Sequence, residues 1–324
     1  MKSGKFIISL DFELMWGVRD SKTIANYGAS ILGVRSALDR ILEAFERYNI
    51  RATFAIVGFL FHENKNKLYD FIPNIKPTYL DGNLSPYIEL ESFLGQDEID
   101  DPYYFGYSMV RKVLNNKVHE IATHTYCHYY CLEEGQIVSQ FEEDLKYAIL
   151  VAKNNNITLK SIVFPRNQFN DDYLNVCKRL GITSFRGNEN HKIYETSNGK
   201  NQTLFKRALR LLDSYINITG HHCYEYEKFS ESPLFNIPSS RFLRPYSSKF
   251  ALLEGLRLLR IKNAMTYAAK NNLLFHLWWH PHNFGINCNE NIIFLEKILI
   301  HYEFLNEKYQ FQSVTMDELS QNLK

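Results

Sequence analysis

Short apolar runs that end in polar residues alternate along this chain with longer stretches whose apolar positions recur at helical spacing. Residues 5–10 (KFIISL) read as a buried strand that stops at acids. Ile31, Val34, Leu38, Ile41, Leu42 and Phe45 then follow the three-to-four spacing of an amphipathic helix. Residues 51–57 (RATFAIV) form a β-branched apolar run closed by Gly58. This strand, helix, strand opening favours a parallel sheet. Further strands are expected at 118–122, 161–164, 182–185 and 273–279, with helices at 136–153, 171–180, 252–269 and 292–302. A last short strand and helix fall within 310–323. Two stretches break the rhythm. Residues 62–106, with Pro73, Pro77, Pro86 and Pro102, read as an insertion or lid. Residues 187–248 read as irregular apart from a helix near 202–213. There is no internal repeat, and the expectation is one domain over residues 1–324.

Polar clusters follow five of the expected strands: DFE at 11–13, HTYCH at 124–128, PRNQ at 165–168, RG at 186–187 and HPHNFG at 280–285. In parallel α/β folds the loops after the strands converge on one face, and sites are built there. The pattern therefore predicts a single site assembled from all five clusters.

Composition narrows the classes. Hydrophobic residues make up 45% of the 324, enough for a large core and against disorder. Lys plus Arg number 37 against 36 acids, so bulk charge gives no reason to expect nucleic-acid binding. No run reaches the roughly 20 apolar residues of a membrane-spanning helix. The apolar stretch from Phe6 to Leu10 is too short for a signal sequence, and a cytoplasmic location is the expectation. Five scattered cysteines do not form a disulfide framework.

His124 and His128 lie four residues apart, a spacing that lets both imidazoles reach one ion from a helical turn. In an extended segment Asp11 and Glu13 point to the same side, with Phe12 turned into the core. Two carboxylates in such apolar surroundings (IISL before, LMWG after) need a cation or an arginine. One carboxylate and two imidazoles make a three-ligand set with positions left open for water and substrate. Arg166 can fix a carboxylate. His280 and His282 are both candidates for proton donation near neutral pH; His276 reads as a core histidine. Cys127 and Cys131 flank His128 but read as buried thiols, not as a zinc cluster. His221 and His222 read as substrate-side or structural. Arg241 and Arg244 suit either an acidic group on a substrate or an ordinary salt-bridged loop.

In these motifs the chain resembles the polysaccharide deacetylase (NodB-homology) family over roughly residues 5 to 285. SLDFE is similar to the family's TFDDG, ATFAIVG to ATFFV, HEIATHTYCH to HEIGSHTxSH, and LWWH to its closing Leu-x-x-His; FPRNQ takes the place of RxPY. The first motif is a D-x-E variant, with the second acid one residue later than usual. The resemblance implies a distorted (β/α) barrel with loop insertions and hydrolysis of an acetyl group from a sugar. It implies that Asp11 is the general base, Arg166 its orienting partner and His280 the general acid. It also implies His124 and His128 as metal ligands, joined by Glu13 as the variant's ligand, around a divalent ion, Zn²⁺ by expectation. The expected substrate is an acetylated amino sugar, nucleotide- or lipid-linked, used in making a surface polysaccharide. Two other readings are kept: an amidase acting on another C–N bond, and a non-catalytic carbohydrate-binding protein.

Overall fold

The structure, a computed structural model, describes residues 3–195, 204–229 and 233–323. Its strands are β1 (Lys5–Phe12), β2 (Ala52–Ile56), β3 (Glu120–Thr123), β4 (Ser161–Ile162), β5 (Ser184–Phe185), β6 (Phe235–Asn236), β7 (Arg241–Phe242), β8 (Leu274–Trp279) and β9 (Gln312–Ser313). The helices are α1 (Ile24–Arg47), α2 (Lys65–Tyr69), α3 (Leu90–Phe93), α4 (Tyr107–Asn115), α5 (Val138–Asn154), α6 (Asp171–Arg179), α7 (Leu204–Asp213), α8 (Glu254–Lys270), α9 (Cys288–Tyr309) and α10 (Met316–Gln321).

All strand pairings within the sheet are parallel, in the order β6-β5-β4-β3-β2-β1-β8-β7, with β9 added beside β1. The two ends of that order belong to one stretch of chain. Residues 235–237 bond to β5, Ser239 to Gly187, and residues 240–243 to β8. The sheet therefore curls round, and one broken strand bridges its edges, which makes the barrel distorted. Both halves of that strand lie in the region that reads as irregular in the sequence. Each is two residues long, too short to show a period of two. Helix α4 and the short α2 and α3 are likewise additions to the sequence reading.

Strand parity sorts the side chains. Phe6, Ile8, Leu10 and Phe12 of β1 join the large core between sheet and helices, where Phe54, Ile56, Ile162, Phe185 and Leu277 also lie. Ile7, Ala55, Ala122, Val163 and Leu274 fill the inside of the sheet. Because side chains alternate along a strand, the inner row continues upward through Ser9 to Asp11, through Ala122 to His124, through Ser184 to Arg186 and through Leu274 and His276 to His280. Apolar residues close the bottom of the barrel, and the polar ones meet at the C-terminal ends of the strands.

Residues 62–106 pack against the turn after β1: Trp16 Nε1 donates to the Tyr104 carbonyl at 2.8 Å, and the Trp16 ring meets Tyr104 edge-on at 4.7 Å. The segment buttresses the turn that carries Glu13.

Candidate metal centre and cleft

Glu13 follows β1 directly and is buried. The 3₁₀ turn Leu14–Gly17 folds back over it. A Cβ on Gly17 would sit 2.0 Å from Glu13 Cδ, so only glycine leaves room for the carboxylate. His124 and His128 come from the loop after β3. This loop is not the helical turn that the spacing suggests: Thr125 and His128 have φ of 63° and 62°. Its shape is held by Asp144 of α5, whose carboxylate accepts the Tyr126 and Cys127 N–H groups at 2.7 and 3.0 Å, and by Thr125 Oγ1, which accepts from the Tyr129 N–H at 2.7 Å. Burial pushes the Asp144 carboxyl up to about 6 against these hydrogen bonds.

Glu13 Oε2 lies 3.2 Å from His124 Nε2 and 3.0 Å from His128 Nε2. One ligand atom from each of the three lies within 4.8 Å of the others. Donors bound to one ion at roughly 2.0–2.2 Å stand about 3 Å apart, so the spacing suits a shared cation. Proton bookkeeping agrees. His124 Nδ1 is 2.7 Å from the Val163 carbonyl, which can only accept, so Nδ1 carries a proton. A neutral ring then turns a lone pair at Nε2 toward a carboxylate lone pair at Glu13. Two facing acceptors repel unless a cation stands between them. Among the described residues no lysine or arginine pairs with Glu13; its ion-pair neighbours are His124, His128, His280 and His282. Burial raises the Glu13 pKa, but the surrounding imidazoles, His280 first, more than offset this and hold it well below the usual range. The three residues fit a divalent ion.

Asp11, one inner position earlier, is also buried. Its partner is Arg186, whose two terminal nitrogens meet Oδ1 and Oδ2 at 2.6 and 2.8 Å. Arg186 also donates to Ser9 Oγ at 3.1 Å and Asn167 Oδ1 at 3.0 Å, and its guanidinium lies 4.1 Å over the Trp278 ring. Burial acts to raise the Asp11 carboxyl, and Arg186 overcomes it, so the pKa lies below the ordinary value. The expectation that Arg166 orients Asp11 is therefore corrected. Arg166 turns away from Asp11, to Asp20 and to Glu133 at 2.8 Å, stacks 4.2 Å from the Tyr130 ring and lines the cleft described below. Arg166 and Asn167 both have positive φ, 53° and 52°, which turns Arg166 away and leaves Asn167 beside Arg186. The signal for Arg186 was the RG cluster after β5, at an inner-row position.

His280 Nε2 stands 3.8 Å from Asp11 Oδ2 and 3.6 Å from Glu13 Oε1, with 24% of its side chain exposed to the cleft. Asn283 Nδ2 lies 3.4 Å from its Nδ1, which favours the tautomer with the proton on Nε2. His282 stacks on His280 at 5.0 Å but is buried, and burial drives its pKa down to about 3. His276 is buried with Nε2 2.9 Å from Ser9 Oγ, a core histidine as its position suggests. Cys127 and Cys131 are buried free thiols, and His222 bonds Thr219 at 2.7 Å.

A cleft of about 690 Å³ opens beside this centre. Phe242, Trp278 and His280 form one aromatic wall, with ring centroids 4.7 to 5.9 Å apart. Most of the remaining lining comes from residues 188–244, including Tyr194, Arg207, Arg210, Arg241 and Arg244; none comes from 62–106. Arg241 is neutralised by Asp213 at 2.5 Å. Among the described residues, Arg244 and Arg207 have no ion-pair partner.

Residues 26–185 match the family model for polysaccharide deacetylase. That span holds His124 and His128 but not Asp11, Glu13 or His280. No curated protein matches the chain. Among solved structures, a Mycobacterium smegmatis protein classed as a polysaccharide deacetylase aligns at TM-score 0.60 and 11% identity, over 99% of this chain and 91% of its own. A Pseudomonas aeruginosa PAO1 protein of the same class aligns at 0.54 and 9%, over 98% and 89%. A GH57-type branching enzyme from Pyrococcus horikoshii also aligns at 0.54, with 13% identity, over 100% and 71%. At these identities the shared feature is the fold. An enzyme of different chemistry has it too, so the reading of function rests on the site.

Proposed function

Residues 26–185 belong to the polysaccharide deacetylase family, and on that premise we propose that the chain is a single-domain, metal-dependent hydrolase removing the acetyl group from an N-acetylated amino sugar. The observation that carries the reading is one buried carboxylate oxygen, Glu13 Oε2, about equally close to two imidazole nitrogens, with the Arg-held Asp11 and the cleft-facing His280 alongside. Glu13, His124 and His128 would hold the ion, with Zn²⁺ preferred by this ligand set; when bound it would supply Lewis acidity toward the acetyl carbonyl and lower the pKa of a water.

The chain's own groups do the rest. Asp11 accepts the water proton. Arg186 keeps it ionised and fixes both its oxygens. His280 delivers a proton to the departing amine; it is the histidine open to the cleft, whereas His282 is held neutral by burial and positions it by stacking. Phe242 and Trp278 offer a face for the sugar ring. Arg207, Arg210 and Arg244 give the far end of the cleft a positive character that suits an anionic substituent. A nucleotide- or lipid-linked amino sugar of surface-polysaccharide synthesis has that chemistry.

Metal content of the wild type and of a His124→Ala/His128→Ala variant, with acetate release from N-acetyl sugars, tests this. About one ion per chain, absent from the variant, together with acetate release that is faster on diphosphate-linked sugars, is the expected result. Absence of metal after incubation with Zn²⁺, Co²⁺ or Mn²⁺ sinks the mechanism; sugar binding without acetate release leaves a carbohydrate-binding protein.

A further inference from the structure

Arg166, Arg186 and Arg241, which stand in or beside the cleft, each have a carboxylate of their own. Arg166 holds Asp20 and Glu133, Arg186 holds both oxygens of Asp11, and Arg241 meets Asp213 at 2.5 Å. Asp213 also accepts from the Tyr194 hydroxyl at 2.8 Å and from the Ile218 and Thr219 N–H groups at 3.0 and 2.9 Å. Burial acts to raise its carboxyl, and Arg241 outweighs this and holds it well below the ordinary range. One acid is left over. Glu189 lines the cleft and is only 7% exposed, yet among the described residues no lysine, arginine or histidine forms an ion pair with it. Burial raises its pKa in spite of the charges of Arg241 and Arg186 nearby. The backbone fixes its place: past β5, Gly187 N–H donates to the Ile237 carbonyl at 3.3 Å, Ser239 N–H donates to the Gly187 carbonyl at 2.9 Å, and His191 N–H turns back to the Glu189 carbonyl at 2.8 Å. Two donors on residues of the same lining, Arg241 Nη2 and Trp278 Nε1, are buried with no hydrogen-bond partner among the described residues. Buried polar groups left without partners are uncommon, and beside a cleft they mark a place that a ligand completes.

The charges here select the group that fits. An ammonium would face Arg186 and Arg241, and a phosphate or carboxylate would face Glu189. A neutral hydroxyl meets neither objection: it donates to the carboxylate and accepts at its oxygen from an N–H. The wall of Phe242 and Trp278 offers the face on which a ring bearing such hydroxyls rests. We propose that Glu189 is a specificity-determining residue, accepting a hydrogen bond from one ring hydroxyl of the N-acetylated sugar, with Arg241 and Trp278 as donors beside it. This role rests on the deacetylase reading above, and it divides the cleft. Arg207, Arg210 and Arg244 suit the anionic substituent, and Glu189 tells one sugar from another, because a buried acceptor left unmatched penalises a ring that lacks the hydroxyl.

Acetate release and, by titration calorimetry, dissociation constants are measured for UDP-N-acetylglucosamine, UDP-N-acetylgalactosamine and analogues of each that lack one ring hydroxyl. The proteins are the wild type, Glu189→Gln and Glu189→Ala. In the wild type, loss of one particular hydroxyl should weaken binding and lower kcat/KM by about tenfold to a hundredfold. In Glu189→Ala the parent sugar should fall to the level of that analogue, and the analogue itself should change little. Glu189→Gln keeps an acceptor oxygen and should retain part of the discrimination. Metal content should stay that of the wild type in both variants. A purely structural role would weaken every sugar alike, so equal discrimination by wild type and Glu189→Ala overturns the proposal, while acetate release in the same assay would leave the deacetylase reading standing. Sugar binding without acetate release would sink the deacetylase reading, and the dissociation constants would still decide the role of Glu189. No binding of any of these sugars overturns it.

Discussion

Two single residues decide whether Glu13 and Asp11 can do what their positions allow. Gly17 touches the Glu13 carboxylate so closely that a methyl group must displace it. Gly17→Ala should therefore lower metal content severalfold in a chain that still folds, as elemental analysis beside circular dichroism would show; full metal occupancy would mean that Glu13 is not a ligand. Arg186 shares a buried pair with Asp11. Removing one member of such a pair costs about 3–5 kcal/mol, and a lysine keeps the charge but not the two-pronged contact. Arg186→Lys should cut kcat/KM by about a hundredfold or more and spare the metal, while Arg166→Ala, which breaks only the outward pairs to Asp20 and Glu133, should change it little. The reverse ranking would restore the sequence's first choice of arginine. That choice was reasonable, since both arginines follow strands. They differ in backbone conformation: Arg166 sits at positive φ, which a string of letters does not display, whereas Arg186 continues the inner parity of β5. The D-x-E acids and the histidine pair were legible because each follows an apolar strand run at its polar end, although the histidines meet through a non-helical loop and not through the helical turn that their spacing suggests.

At the scale of elements, the expected strands fell where the apolar runs lay, and their ends carried the site. What the sequence did not reveal was the device that holds each loop. The HTYCH loop keeps its non-helical course because Asp144, on the next helix, captures its N–H groups, and such a contact over 17 residues leaves no local pattern. The His280 loop is held differently. Helix α1 presses its backbone onto it: a Cβ on Gly33 would lie 1.9 Å from the Gly285 carbonyl oxygen, and one on Gly285 would lie 1.8 Å from that of Ser30. Gly33→Ala should destabilise the chain by about 1–3 kcal/mol. It should also lower kcat without loss of metal, because it moves the loop that carries His280 and leaves β1 and β3 in place. A calorimetric midpoint, a metal assay and a kcat measured together separate this from general unfolding. If metal and kcat fall in step, α1 supports the whole site and not the His280 loop alone.

Over the whole molecule the barrel is closed by one broken strand and stocked with buried titratable groups, and their balance sets how the fold responds to acid. Burial drives His62, His119 and His222 down to about 4 and His276 and His282 down to about 3. In the unfolded chain these imidazoles take a proton near pH 6.5. Between that value and their folded values the unfolded state binds more protons, so their contribution is whole above about pH 6.5 and is lost on acidification, by up to about 1.4 kcal/mol per pH unit for each. Glu120 and Asp144 are raised to about 6, and Glu189 is raised as well, again chiefly by burial. The folded state binds their protons first, which stabilises it as pH falls from about 6 to 4. The histidines outnumber the acids, so they win. Metal-free protein should lose roughly 1–3 kcal/mol per pH unit between pH 6.5 and 5, read as a falling thermal midpoint across a buffer series. Asp11 and Glu13, both held below the ordinary carboxylate range, add their loss only below about pH 4. A midpoint that is flat or rising from pH 6.5 to 5 would mean that the buried histidines are charged in the folded chain.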